Sequence, residues 1–373
     1  MGRMRPGARL RKVARALEQV DLRGNGTDAL LVTQPADVRY LCGFTGSNAA
    51  LMLPSGRRGL QATLFTDGRY TTQAAREVDG AAVVIAQKPV VLAAIEFALG
   101  EGVNCCGFDP ASTTVAAWEG MRGAIAAKKR RSWFTPVSGL LEGLREVKDE
   151  VEQEQMRAAA ALGCRLFDGV LEHMEAGTTE MEVALALEYM ARLQGAERMA
   201  FETIVAGGER SAMPHARATN AKLPRRGFVT LDFGVVLDGY CSDMTRTVHM
   251  GAIRAEEREV YEAVLDAQEA GVAAVCGGVE VGAVDEAARS VLRARGFEEY
   301  FTHSTGHGVG MEIHEGPRIG KKQVGKLKAG MVITIEPGAY LPGKFGVRIE
   351  DTVLVTRTGC EVLTPSTKAL IEL

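Results

Sequence analysis

Acidic side chains recur in this chain at spacings that suit cation binding. Residues 228–250 read FVTLDFGVVLDGYCSDMTRTVHM, two β-type runs flanking Asp238-Gly239, a two-residue hairpin turn. With that pair as the loop, Asp232 faces Thr245 and Asp243 faces Gly234. Asp232 and Asp243 become diagonal neighbours on one face, with Cβ atoms about 7–8 Å apart. Two carboxylates so placed repel unless cations lie between them, and the spacing suits oxygens reaching toward two metals about 3.5–4 Å apart. Val229, Leu231, Phe233 and Val235 make the other face apolar, so the hairpin should lie on a core, where unpaired carboxylates are costly. A solvated polar face on a surface hairpin is the competing reading.

A second cluster is HSTGHGVGMEIHE, residues 303–315. It places His303, His307 and His314 within twelve residues of a chain that has six histidines. Imidazole suits borderline divalent metals and carboxylate harder ones, so the combination suits Mn, Co, Zn or Fe. Gly306, Gly308 and Gly310 allow the backbone to approach a site closely. A polar loop with incidental histidines is the alternative. Glu336 ends the apolar β-run of MVITIEPGAY, just before Pro337-Gly338. Glu350 reads as mid-strand in GVRIEDTVLVT, with Arg348 and Thr352 on its face, which a structural Arg–Glu pair would also explain. Four carboxylates and an imidazole together match a dinuclear hydrolase, whose metals polarise a carbonyl and generate hydroxide near neutral pH. A cluster of carboxylates alone would suggest a structural Ca²⁺ or Mg²⁺ site instead.

These residues need elements to hold them. Residues 28–140 alternate β-type runs (29–33, 49–53, 60–65, 82–86, 103–108) with helical runs (70–78, 90–99, 115–126), a mixed α/β unit with no obvious catalytic cluster. Gly43-x-x-Gly46 reads as a turn rather than a phosphate loop. The charged stretch 142–154 follows Pro136 and Gly139, which puts the boundary near residue 140 and the domains at 1–140 and 141–373. A long helix is expected from about Lys148 to Glu175, ended by Gly177; Thr179-x-x-Glu182 caps a second, which stops at Gly195. Helices at 256–276 and 283–295 follow, then β-segments at 331–340 and 346–356. Two successive helix–helix–strand–strand units suggest an internal duplication that builds one site at its centre.

Bulk properties narrow the function. The 373 residues are 46% hydrophobic and 24% charged, with net charge −3, which gives no general electrostatic reason to bind nucleic acid or an anionic membrane. No apolar run reaches the roughly 18 residues of a spanning helix. The basic start (Arg3, Arg5, Arg9, Arg11, Lys12, Arg15) lacks the apolar segment and cleavage site of a targeting peptide. With Leu10, Val13, Leu17 and Val20 at helical spacing, it reads as a first helix with a solvated basic face. Seven cysteines without C-x-x-C spacing read as buried reduced thiols of a cytoplasmic protein.

The clusters resemble metallopeptidase family M24, in its branch of Xaa-Pro aminopeptidases and Xaa-Pro dipeptidases (prolidases); methionine aminopeptidases share the family. HSTGHGVGMEIHE resembles the proline-peptidase signature, and LDFGVVLDGYCSDMTRT, TIEPGAY and FGVRIEDT resemble family motifs. TDALLVTQPADVRYLCGFTGS and FTDGRYTTQAA resemble the N-terminal domain of that branch, so the resemblance spans nearly the whole chain. It implies an α+β pita-bread catalytic domain with a pseudo-two-fold duplication, behind a smaller mixed α/β domain of creatinase/prolidase type. It implies two divalent metal ions per chain, Mn or Co foremost, held by Asp232, Asp243, His307, Glu336 and Glu350, with Asp243 and Glu350 bridging and Glu336 steering a metal-bridging hydroxide. His215, His303, His314 and Arg348 would bind or orient substrate, with His215 at the oxyanion and His314 near the scissile bond; Tyr240 and Thr245 are weaker supporting candidates. The ligand positions show no departure, which argues against the metal-free creatine amidinohydrolase branch. The implied reaction is hydrolysis of an N-terminal Xaa-Pro bond in a short peptide, by a homodimer in which one subunit's N-terminal domain closes over the partner's site. A methionine aminopeptidase, another amidohydrolase on this scaffold and a non-catalytic peptide- or protein-binding module are the rival readings.

Overall fold

The computed structural model describes residues 6–18, 26–56, 59–127 and 132–373, which divide into two compact units, Met1–Leu144 and Arg145–Leu373. Arg3, Arg5 and Val20 of the basic start lie outside the described residues.

In the first unit, β1 (Ala29–Val32), β2 (Ala49–Pro54), β3 (Thr63–Thr66), β4 (Ala82–Ile85), β5 (Cys106–Phe108) and β6 (Phe134–Pro136) form one mixed sheet in the order β4-β3-β2-β1-β5-β6. Its helices are α1 (Pro6–Leu17), α2 (Pro35–Cys42), α3 (Thr71–Glu77), α4 (Val90–Gly100), α5 (Val115–Gly123) and α6 (Leu140–Arg145), which runs to the unit boundary. Leu10, Val13 and Leu17 are buried as their spacing predicts. The basic face of α1 is not wholly solvated, because Arg9 is buried and stacks on the Tyr40 ring. Three elements had no clear sequence signal: α2, β6 and α6. They are short, and α2 follows a β-type run with no polar break longer than Thr33-Gln34.

The second unit has the repeated order expected of it. In its first half α7 (Glu150–Val170) and α8 (Glu180–Leu193) precede β7 (Arg198–Met199), β8 (Ile204–Gly207), β9 (Gly227–Phe233), β10 (Val235–Leu237), β11 (Tyr240–Cys241) and β12 (Met244–Met250). In its second half α9 (Ala255–Ala273) and α10 (Val281–Ala294) precede β13 (Gly306–Gly308), β14 (Glu315–Ile319), β15 (Val332–Ile335), β16 (Gly338–Leu341), β17 (Phe345–Arg348), β18 (Asp351–Val355) and β19 (Cys360–Val362). Each helix pair covers the apolar back of its strands. Leu162, Leu166, Val183 and Leu187 pack on Val229, Leu231, Phe233 and Val235; Val281 and Val284 pack on Ile333, Ile335 and Val353. The capping box at Thr179–Glu182 forms in full. The long helix is shorter than expected. Asp149 caps it and it ends at Val170, after which a 3₁₀ turn over Leu171–His173 carries the chain toward Gly177.

Two strand expectations need correction. The run 331–340 breaks at Glu336-Pro337, because Pro337 has no N–H to continue the ladder. Glu350 is therefore not mid-strand. It lies between β17, which pairs with β16, and β18, which pairs with β15 and β19, and its own N–H donates across to the Thr245 carbonyl (3.1 Å). The thiols are all free, but only Cys42, Cys106 and Cys241 are buried; the other four are half-buried.

The hairpin register is as expected. Asp232 pairs with Thr245, Leu237 with Tyr240, and Asp238 takes the positive φ of the turn. The ladder is interrupted at Gly234, where a Cβ would overlap the Ser242 carbonyl oxygen. Gly234→Ala should therefore destabilise the protein by about 1–3 kcal/mol, as overpacking does. Gly359→Ala, with open space around it, should stay within about 0.5 kcal/mol. Urea unfolding of both variants checks the contrast.

Candidate metal centre

Each half of the second unit delivers two carboxylates at the end of a strand pair. In the first half Asp232 stands one residue before Phe233, the partner of Met244, and Asp243 one residue before Met244. In the second half Ile335 pairs with Asp351, and the next positions outward are Glu336 and Glu350. The halves meet so that carboxylate oxygens of Asp232, Asp243 and Glu350 lie within 4.8 Å of one another. Glu336 joins through His307, whose Nε2 lies 3.6 Å from Asp243 Oδ2 and 3.7 Å from Glu336 Oε1.

The electrostatics of this cluster are strained without a cation. Burial and the charges of Glu350, Asp232 and Glu336 push the Asp243 carboxyl well above its usual range. Burial and Glu350 do the same to Glu336. Burial and Asp232 push Glu350 up to about 8. One Asp232 oxygen, Oδ1, is buried without a hydrogen-bond donor. The His307 Nδ1 lies 3.0 Å from the Gly308 carbonyl, which accepts a hydrogen bond from Nδ1–H and leaves an unprotonated Nε2 facing the acids. Burial lowers His307 to about 4, so it adds no positive charge at neutral pH. An unprotonated imidazole nitrogen thus faces carboxylate oxygens at 3.6–3.7 Å. An oxygen-rich donor set with one neutral imidazole and an orphaned oxygen fits one or more divalent cations.

Supporting bonds fix each donor. Arg348, buried at the back, donates to Asp232 Oδ2 (2.6 Å), the Tyr340 hydroxyl (2.7 Å), the Pro214 carbonyl (3.1 Å) and Thr245 Oγ1 (3.2 Å). Thr245 donates in turn to Glu350 Oε2 (2.7 Å), and Thr352 donates to the Asp243 carbonyl (2.7 Å). Behind Glu350, Arg246 pairs with buried Asp351 (2.8 Å), which also accepts from Lys368 and Gln268. Gly306 and Gly308 admit the Thr334 and Gly316 carbonyl oxygens, so the close approach they allow is to neighbouring chain rather than to the site itself.

Two cavities open on the cluster, of about 270 Å³ and 520 Å³, and share His215, Asp232, His307, His314 and Glu336. The first has apolar walls from Phe201, Ile204 and Ile313; the second reaches Ser304 and Arg318. His215 and His314 are exposed at both. His303 lines the second, but its ring nitrogens are engaged by the Ser304 carbonyl (2.8 Å) and the Tyr340 hydroxyl (2.9 Å). Arg348 also lines the second cavity, and its donors are turned to protein groups, Asp232 among them. Thr245 joins the site, whereas Tyr240 does not. Tyr240 is buried with its hydroxyl on Glu152 of α7 (3.0 Å), beyond both cavities. Tyr340 and Arg318 lacked a sequence signal of their own, one inside an apolar β-run and the other in a charged turn.

The raised carboxyls set how metal-free protein responds to pH. Glu350 titrates near 8 in the fold and near its ordinary 4.5 when unfolded. The unfolded chain therefore sheds its proton first as pH rises, and stability falls through that window. Metal-free protein should melt at progressively lower temperature between these values, and added divalent ion should restore more at the upper end. A melting profile flat across the window in chelator-treated protein would contradict the repulsion.

The model of metallopeptidase family M24 matches residues 154–357, and that of the creatinase/prolidase N-terminal domain matches residues 9–147. The "Uncharacterized peptidase YqhT" of Bacillus subtilis is 38% identical over 93% of this chain and 96% of its own. The solved Xaa-Pro dipeptidase from Bacillus anthracis superposes with a TM-score of 0.92 at 35% identity, covering 98% of this chain and 100% of that one. An X-Pro aminopeptidase from Thermotoga maritima superposes at 0.86 with 34% identity, over 93% of this chain and 98% of that one. The fold is the pita-bread fold behind a creatinase/prolidase N-terminal domain, and the chain belongs to metallopeptidase family M24.

Proposed function

We propose that this enzyme hydrolyses the Xaa-Pro bond of dipeptides, as a homodimer in the cytoplasm using two divalent ions per chain, Mn or Co. One observation carries the reading: four largely buried carboxylates and a neutral imidazole converge where two cavities meet. The names of similar proteins, Xaa-Pro dipeptidase and X-Pro aminopeptidase, supply the substrate class. The Xaa-Pro bond is a tertiary amide without an N–H, so a site that anchors that N–H cannot use it and a dedicated one is needed. Free thiols throughout suit a reducing compartment.

Asp232, Asp243, His307, Glu336 and Glu350 would hold the ions. Bound there, divalent ions supply Lewis acidity toward the scissile carbonyl and bring a water's pKa near neutrality. Glu336, at a strand end and partly open to both cavities, accepts the proton of the attacking water and passes it to the leaving proline nitrogen. His215 and His314 stabilise the developing oxyanion from the rim. Arg348 holds Asp232 in orientation, and Tyr340 ties Arg348 to His303. Phe201, Ile204 and Ile313 would receive the side chain before proline. Arg318, with its Nε on Ser304 (3.3 Å), closes the second cavity with a positive charge suited to a dipeptide's carboxylate.

Metal-verified Glu336→Gln should fold and lose turnover; an unchanged rate would remove Glu336 from the mechanism. Arg318→Ala should raise KM for Xaa-Pro dipeptides about tenfold or more, the loss of a charge-assisted bond. Assays on Xaa-Pro dipeptides against Xaa-Pro-Yaa tripeptides test the class. Equal turnover of tripeptides would favour an aminopeptidase, and no cleavage of either would end the proline assignment.

A further inference from the structure

His314 reaches both cavities from a turn, residues 309–314, that has no regular secondary structure. The residue that follows, Glu315, opens β14, and consecutive side chains on an extended chain point opposite ways. As His314 faces both cavities, Glu315, which borders the second, turns its carboxylate inward, with its side chain 6% exposed. There Arg145 and Lys148, whose side chains are 3% and 1% exposed, grip it at 2.5 Å and 3.0 Å. Its Oε1 also accepts the Glu312 N–H (3.1 Å), and Arg145 makes a further bond to Glu312 (2.8 Å). Gly310 lies directly over the carboxylate, where a Cβ would overlap it, and the Gly310 carbonyl accepts from the Cys241 N–H (2.7 Å). The turn is thus wrapped around one carboxylate.

The cations come from a segment that is itself fixed. Lys148 N–H donates to the Gly330 carbonyl (2.8 Å), and Val147 bridges Met331, the residue before β15. β15 ends at Ile335, directly before Glu336. The same short segment therefore anchors the turn that carries His314 and the strand that carries Glu336. An apolar contact in place of the ions would bury as well but would not fix direction. Two oxygens held by a guanidinium, an ammonium and a backbone N–H fix both position and rotation.

We propose that Glu315, clamped by Arg145 and Lys148, is a positioning residue for catalysis, setting where His314 stands relative to Glu336. Its carboxylate is committed to Arg145, Lys148 and the Glu312 N–H, although the residue borders the second cavity. Its effect rests on the proposed hydrolysis, through His314.

Glu315→Asp keeps the charge between the two cations and withdraws the carboxylate by one methylene. It should fold with unchanged metal content, lower kcat on an Xaa-Pro dipeptide about tenfold, and change KM far less. In a His314→Ala background the same change should cost almost nothing further, since residues acting as a unit are not additive. Arg157→Ala, which breaks a half-exposed ion pair with Glu361, is the control and should leave kcat unchanged. Wild-type kcat in Glu315→Asp, or losses that multiply in the double variant, would overturn the proposal. A wild type inactive on every Xaa-Pro peptide would fail the function reading instead. The clamp is then judged by amide exchange over residues 309–316, which must rise in Glu315→Asp; unchanged exchange would overturn it as well.

Discussion

Carboxylates that share a poorly hydrated pocket repel one another, and the second unit is organised around that repulsion. Asp243 and Glu350 are almost completely buried, with Asp232 and Glu336 beside them. Of these acids Arg348 reaches only Asp232, and Arg246 spends its charge on Asp351, so among the described residues no arginine or lysine pairs with Asp243, Glu336 or Glu350. A divalent ion answers this more fully than another arginine would. It accepts several oxygens at once and has no stem to bury. Histidine does not answer it at all, because burial holds His303 and His307 near 4 and hence neutral.

The pseudo-repeat explains how the chain can gather these acids without unfolding itself. Each half buries the apolar face of its strands under a helix pair, which contributes the hydrophobic stabilisation locally. The acids then project from strand ends, where the ladder is already giving out: at Gly234 in one half, at Pro337 in the other. The polar groups behind them are satisfied. Thr245, Thr334 and Thr352 sit beside the acids and donate to side chains or to the backbone that carries them. Repulsion is confined to the mouth of the fold, where an ion can relieve it.

This division also decides what was legible in the sequence. Asp232 and Asp243 could be placed on one face because Asp238-Gly239 fixes the hairpin register, and register fixes side-chain parity. His307 stood out by the density of glycine and histidine around it. Glu336 and Glu350 could not be paired from spacing alone, because their adjacency arises from β15 meeting β18 across an intervening hairpin. From sequence Glu350 reads as mid-strand, since nothing local marks the switch between sheets at Ile349. Tyr240 shares a motif with Asp243 but points into the core, and Tyr340, deep in an apolar run, meets Arg348 only after β16 and β17 fold back. Long-range contacts of this kind carry no periodicity to detect.

The same geometry separates reactivity from substrate choice. The acids and His307 form a floor whose chemistry is indifferent to the residue after the scissile bond. Selection for proline and for a free carboxylate has to come from the walls, which on the proposed function are His215, His314 and Arg318. These groups are exposed and stand on loops or a strand edge, whereas the floor stands on paired strands or at their immediate ends. A change at the rim can therefore redirect specificity while the floor keeps its fold and its donor set. The reverse does not hold, because displacing any acid alters the charge that every other member of the cluster experiences. Relatives of similar fold whose names differ between dipeptidase and aminopeptidase are what such a separation permits.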